Sequence, residues 1–312
     1  MNNLARVLRH GGKYAEAEAM QGKTVELREK TLGSTHPDTL SSMHNLARVL
    51  HRRGKYKEAY AVQKTTLELR IQHLGEEHPD TIASIDSLAI IHRHLGQYID
   101  AENNHRRALG LMERVLGLEH PDTLIAMNNL GIVLRFEEKY GDAEAIHREA
   151  RIRIEATLGK EHPFALLNAN NLSVVLCRLR RYSSAEMLQR DTLKLASTAL
   201  GDRHPSTMDI TSNLAEVFRH QGKYLEAKEL HQRTLDLRRE RLGPEHPATL
   251  TSQSHLSEVI LALGRTTESE EMQRQALALR QKVLGSSHPD TIASVKLLEN
   301  ISLVMVSMAD AA

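Results

Sequence analysis

Apolar positions in this chain fall into a pattern that is written over and over. In residues 36 to 75, HPDTLSSMHNLARVLHRRGKYKEAYAVQKTTLELRIQHLG, Met43, Leu46, Ala47 and Leu50 follow i, i+3, i+4, i+7. They make one stripe at roughly 100° per residue, the mark of an amphipathic helix. Pro37 opens it, because its fixed φ suits the first helical position, where an amide hydrogen would have no partner. His36, standing before a proline, is biased to extended backbone. Asp38 in the first turn meets the positive end of the helix dipole. The pattern then reaches Gly54, restarts at Tyr56 and Ala59, and runs to Leu74-Gly75, where glycine in a left-handed conformation closes a helix. The spacing predicts two antiparallel helices per unit, A and B.

The His-Pro pair stands at His36, His78, His120, His162, His204, His246 and His288, always 42 residues apart. Leu-Gly recurs seven times, from Leu32-Gly33 to Leu284-Gly285. The helix A position of Ala47 is small throughout, as Ala5, Ala89, Gly131, Ser173, Ala215 and Ser257, which marks a tight helix crossing. On helix B, Tyr56 and Ala59 return as Tyr98 and Ala101, Tyr140 and Ala143, Tyr182 and Ala185, Tyr224 and Ala227. One pair cannot bury both its faces, so consecutive pairs must stack. Each buried Leu or Met adds about 1.5 to 3 kcal/mol. The expected fold is all-α, a right-handed α-solenoid (superhelix) of antiparallel helix pairs with about seven units of 42 residues, running as one array over 1–312. Residues 1–33 form a truncated first unit with a partial helix A. Full units follow at 36–75, 78–117, 120–159, 162–201, 204–243 and 246–285, and 288–312 is a final helix without a partner, read either as a cap or as a self-association surface. The chain thus opens inside a helix A, as a fragment would. Glu138 and Arg180 stand where other units have the A–B turn glycine, at a cost of about 1 kcal/mol each if the turn keeps a left-handed residue.

Asn-Leu-Ala followed by Gly-Lys-Tyr-x-Glu-Ala resembles the tetratricopeptide repeat, and the 42-residue unit with LG-x-x-HPDT between helices resembles its kinesin-light-chain variant. HPDTL-x-S-M-x-NLA with L-x-LR is similar to arrays at the C-terminal end of fungal nucleotide-binding, receptor-like proteins. No heptad coiled coil is present and aromatic residues are few, so the resemblance does not extend to a motor role. It implies a concave groove lined by helix A, in which asparagines hold the backbone of a bound peptide.

Opposite the apolar stripe lie Ser41, Asn45, Arg48 and Arg52. The Asn45 position reads Asn3, Asn45, Ser87, Asn129, Asn171, Asn213 and His255 along the array, with Asn128 and Asn170 adjoining. An amide both donates and accepts, so it suits an extended peptide of any sequence. The alternative is that each asparagine bonds within or between helices. Arg48, Arg52, Arg93 and Arg135 lie on or beside this face, which predicts a preference for acidic segments in the N-terminal half and sensitivity to salt. Cations near helix C-termini are also explained by the dipole, at about 0.3 to 1 kcal/mol each.

Composition removes other classes. A net charge of +1 and 3% aromatics argue against nucleic acid, and no apolar run is long enough to span a bilayer. One cysteine, Cys177, excludes an internal disulfide and suits a reducing compartment, so a cytoplasmic location is expected. No phosphate loop, nucleophile elbow or carboxylate pair appears, so neither catalysis nor a cofactor is expected. Of eighteen histidines seven are start signals, and equivalent positions are a whole helix pair apart, so no metal site is expected. The helix B set Gln21, Gln63, His105, His147, Gln189, His231 and Gln273 is expected to bond between repeats. The reading that results is a protein-interaction scaffold that holds a partner's peptide segment in the groove. Its rival is an oligomerisation or autoinhibition arm of a larger nucleotide-binding signalling protein.

Overall fold

A computed structural model of the protein describes residues 14–286 and 288–310, which form fourteen helices and no strand. The A helices are α2 (Pro37–Arg52), α4 (Pro79–His94), α6 (Pro121–Phe136), α8 (Pro163–Arg178), α10 (Pro205–His220) and α12 (Pro247–Ala262). The B helices are α1 (Tyr14–Leu32), α3 (Tyr56–Leu74), α5 (Tyr98–Val115), α7 (Tyr140–Leu158), α9 (Tyr182–Leu200), α11 (Tyr224–Leu242) and α13 (Thr266–Leu284). A seventh described A-type helix, α14 (Pro289–Asp310), has no B helix after it among the described residues. The partial helix A expected before α1, with Asn3 in it, lies outside the described residues. The chain forms two compact units, Met1–Thr157 and Leu158–Ala312. Each is an all-α solenoid: α1 to α6 in the first and α8 to α14 in the second pack each against the next.

Every HisPro start uses the same cap. The histidine keeps extended backbone, at φ −62° and ψ 137° for His36, and its Nδ1 accepts the amide hydrogen two residues on at 3.1 Å. The other six do so at 3.1 to 3.2 Å. Phe164, Ser206 and Ala248 replace the aspartate without loss of the bond, so the imidazole and not the carboxylate is the constant part of the signal. The bond needs Nδ1 unprotonated.

The two glycine positions differ in kind. Gly75 (φ 85°, ψ 166°) and Gly243 (φ 89°, ψ 163°) combine positive φ with extended ψ, a region that only glycine occupies, and not the left-handed helical cap expected. The A–B turn has φ near 77° at Gly222 but 60° at Glu138 and 58° at Arg180, close to the left-handed minimum that other residues reach at about 1–2 kcal/mol. That difference explains why LeuGly never varies and the turn glycine does.

Within each unit A helices such as α2, α4, α10 and α12 sit between two B helices, so more than one face is buried. In α2, Leu40, Met43, Ala47 and Leu50 are buried as the stripe requires, Leu46 only partly, and Ser42 and Val49 are buried on a second face. The small position is buried in every described repeat, and a Cβ on Gly131 would stand 2.5 Å from His147 Nε2. Tyrosines of helix B stack on the next repeat, Tyr56 on His94 at 5.1 Å and Tyr182 on His220 at 5.8 Å.

Polar side chains fix the register between repeats. Gln21, Gln63, Gln189 and Gln273 each donate to the carbonyl 21 residues ahead, at 2.9 to 3.2 Å, the interrepeat bond expected of that set. His105 and His231 bond within their own helix pair instead, to Asp86 at 2.8 Å and Glu216 at 3.0 Å, because a carboxylate stands on the facing A helix there. Arg70 Nη1 donates to Asp80 O at 2.7 Å and Ser84 Oγ at 2.8 Å, and Arg28, Arg238 and Arg280 repeat the arrangement on Ser42, Ser252 and Ser294. Where the arginine is absent the serine is absent too: Met112 packs in one apolar cluster with Ala126, and Ala196 with Ile210. The lysine of Gly-Lys-Tyr reaches back to the preceding repeat, Lys55 to Glu18 and Lys223 to Glu186, both at 3.0 Å.

Burial also sets the acid response. It pushes His51, His147 and His255 down to about 4 and His94 down to about 3, with neighbouring guanidiniums adding to the effect. Folded-state values below the ordinary value near 6.5 mean that the unfolded chain binds protons first, so stability is complete above pH ~6.5 and is lost as pH falls toward ~4. Thermal unfolding is expected to show a midpoint that is flat from pH 8 to 7 and drops between pH 6.5 and 4, and a midpoint constant down to pH 4.5 would contradict it. In the same assay Gly75→Ala or Gly243→Ala is expected to destabilise by about 1–3 kcal/mol. Glu138→Gly is expected to stabilise by about 1 kcal/mol.

Candidate ligand groove on the helix A face

Positions 41, 45, 48 and 52 of α2 share one face, and the equivalent positions of α4 and α6 carry it through the first unit. Arg48 and Arg52 are exposed and Asn45 is half-buried. Arg93 is half-buried, with Nη2 2.9 Å from His94 Nε2. His51 and His94 meet edge-on at 4.5 Å. The charges of Arg52, Arg93 and Arg48 all bear on His51, and those of Arg93 and Arg52 on His94. Three guanidiniums thus surround two neutral imidazoles at the C-terminal ends of α2 and α4. Arg135 is drawn elsewhere: its Cζ lies 4.6 Å from the Phe136 ring centre, and Arg93 Cζ lies 5.6 Å from the same ring.

The asparagines divide into two groups. Asn128 and Asn170 are buried and lie beneath the face. Asn45, Asn129, Asn171 and Asn213 are half-buried along it. Asn213 Nδ2 donates to Asn170 Oδ1 at 2.9 Å, Asn129 Nδ2 approaches Asp86 Oδ2 at 3.5 Å, and His255 Nδ1 stands 3.4 Å from Ser212 Oγ. Each contact reaches back 43 residues, so this position forms a polar ladder between neighbouring A helices. The bonding between helices weighed from the sequence is therefore present. A side-chain amide has a second donor hydrogen and a carbonyl beyond such a bond.

In the second unit the A helices α8, α10 and α12 enclose a hollow of about 220 Å³ lined by Cys177, Asn213, Glu216 and His255 among others. Burial disfavours the Glu216 carboxylate, but bonds from His231 and Arg219 hold its pKa well below the usual range. Burial and then the Glu216 charge push the Cys177 thiol up to about 11, which makes it a weak nucleophile at neutral pH. Sequence reading treated each repeated position by itself and so missed this grouping: Glu216, His231 and His255 belong to three different repeat positions that meet in space. The signal was present, since no other set of those three positions is made wholly of metal-ligating residue types.

Family models described as tetratricopeptide repeat match residues 1–72, 44–112, 81–151 and 206–282, and residues 169–206. No curated protein matches the chain. Among solved structures, a tetratricopeptide repeat protein from Parabacteroides merdae is similar at 16% identity, covering 96% of this chain and 96% of that one, with a TM-score of 0.64. BtubC (BKLC) from P. vanneervenii is similar at 20% identity over 75% of this chain and 94% of its own, with a TM-score of 0.61. The nearly identical TPR-like repeats of a Podosopora anserina protein described as a kinesin light chain are similar at 24% identity, over 66% of this chain and 97% of theirs, with a TM-score of 0.58. The cap, the left-handed turns and the interlocked helix pairs are those of repeats matched over most of the length, and the chain belongs to the tetratricopeptide repeat family.

Proposed function

We propose that the protein is a non-catalytic scaffold whose helix A face holds an extended, acidic segment of a partner protein. The observation that carries this reading is the arginine locus of the first unit, where Arg48 and Arg52 are exposed and act with Arg93 on two imidazoles that stay neutral. Fixed cations beside uncharged rings favour carboxylates. The half-buried asparagines supply sequence-independent bonds to the segment's backbone. No described helix is long and apolar enough to cross a membrane, and with a single cysteine the cytoplasm is the setting we assign.

A second reading rests on α14, which exposes Ile292, Val295, Leu303 and Val306. Such a face suits self-assembly, as in a structural or regulatory arm of a larger nucleotide-binding signalling protein.

Fluorescence anisotropy with labelled glutamate-rich and lysine-rich peptides separates the two. The acidic peptide is expected to bind more tightly, to weaken as salt rises, and to lose roughly five- to tenfold in affinity on Arg48→Glu with Arg52→Glu. Substituting Asn129, Asn171 and Asn213 by Ala is expected to weaken both peptides with the oligomeric state unchanged. Equal binding of both peptides, untouched by charge reversal, would refute the groove. A change of oligomeric state on Leu303→Lys without effect on peptide binding would favour the arm.

A further inference from the structure

We propose that Glu216, His231 and His255 form a site for a divalent transition metal ion, with zinc the closest chemical match. One ligand atom from each residue lies within 4.8 Å of the other two. His231 Nε2 and Glu216 Oε1 are 3.0 Å apart, already near the edge of a tetrahedron with metal bonds of ~2.0–2.1 Å. The ring of His255 lies against that of His231, with centroids 5.5 Å apart, and its Nδ1 stands 3.4 Å from Ser212 Oγ.

The donor set is two imidazoles and one carboxylate, which suits zinc and leaves a fourth position. That position faces the hollow of about 220 Å³ that Glu216, His255 and Cys177 line, so water or a ligand in the groove can reach the ion. The other oxygen of Glu216 is fixed by Arg219, whose Nε and Nη2 lie 2.9 and 2.7 Å away, so the carboxylate is oriented from behind with Oε1 turned to His231. Arg219 also lies 3.8 Å from Glu258, which offsets its charge near the site. His231 is fully buried, and its Nδ1 has no hydrogen-bond partner among the described residues, so the ring proton has a free nitrogen to move to when Nε2 exchanges its hydrogen bond with Glu216 for the metal.

Comparison along the chain shows that the grouping is particular to one register. The same three positions read Val174, Gln189 and Asn213 one repeat earlier, Ile90, His105 and Asn129 in the first unit, and Glu258, Gln273 and Leu297 one repeat later. Each of those sets keeps the fold with at most one ligating residue, so the fold does not need Glu216, His231 and His255 together.

The test is titration of chelator-treated protein with Zn²⁺ by calorimetry, and with Co²⁺ by visible absorption. One equivalent per chain, a tetrahedral Co²⁺ spectrum and a raised thermal midpoint are expected. His231→Gln and His255→Asn copy the residues at Gln189 and Asn213, and each is expected to fold, as checked by circular dichroism, yet bind Zn²⁺ more than roughly 100-fold more weakly, beyond the loss typical of an outer-shell change. Absence of stoichiometric Zn²⁺ binding to the intact chain would overturn the proposal. So would unchanged binding in both folded variants, which would place the ion elsewhere. The outcome is independent of peptide capture by the arginine locus, because no residue is shared.

Discussion

Everything in this structure depends on holding one helix between two others at a fixed register. An A helix has neighbours before and after it in the chain, and burial of its apolar stripe supplies most of the stability. Apolar contact alone tolerates sliding. The polar side chains of helix B do not: Gln63 needs the Ser84 carbonyl and Arg70 needs both Asp80 O and Ser84 Oγ. A residue inserted within the helix, between Gln63 and Arg70 for example, would turn one donor by ~100° relative to the other and leave buried polar groups without partners. The unbroken 42-residue spacing is the sequence trace of that penalty.

Much of this was legible in the chain. Helix boundaries followed from HisPro and LeuGly, the crossing point from the small position at Ala47, and the interrepeat bonds from the glutamines of the Gln21 set, though not from its histidines His105 and His231. Those features repeat at one position, which is what a periodic reading detects. The misses have a common cause. The cap resides in a histidine nitrogen, which propensity reasoning assigns to Ser, Thr, Asp or Asn, so Asp38 drew the attention that belonged to His36. The LeuGly glycines take extended ψ, a distinction that residue type does not encode. The arginine and serine partners stand 14 residues apart, and their joint replacement at Met112 with Ala126 shows only when two positions are compared together. Glu216, His231 and His255 needed three.

The same register that fixes the core also arranges the surface, because any change at one position is displayed at one place on the helix A face. The position of Arg48 reads Arg48, Ile90 and Ile132 in the first unit and Val174, Glu216 and Glu258 in the second, so its charge changes sign along the chain. In the first, arginines gather around His51 and His94. In the second, a carboxylate and two imidazoles converge beside a hollow. The two units thus differ in chemistry through a few departures from a common repeat. The asparagine ladder shows the limit of that freedom, since Asn213 serves its neighbour Asn170 as well as the face.

The central claim is that buried side chains of helix B couple each repeat to the next. A double-mutant cycle on Arg70 and Ser84 measures it most directly, using Arg70→Met and Ser84→Ala, the pair found naturally at Met112 and Ala126. Arg70→Met alone should be costly, because it strands the Asp80 carbonyl and the Ser84 hydroxyl, and the second change should recover part of the loss, with a coupling of about 1–3 kcal/mol in chemical denaturation. Additive effects, within about 0.5 kcal/mol, would show that the repeats are held by apolar stacking alone and would contradict the account.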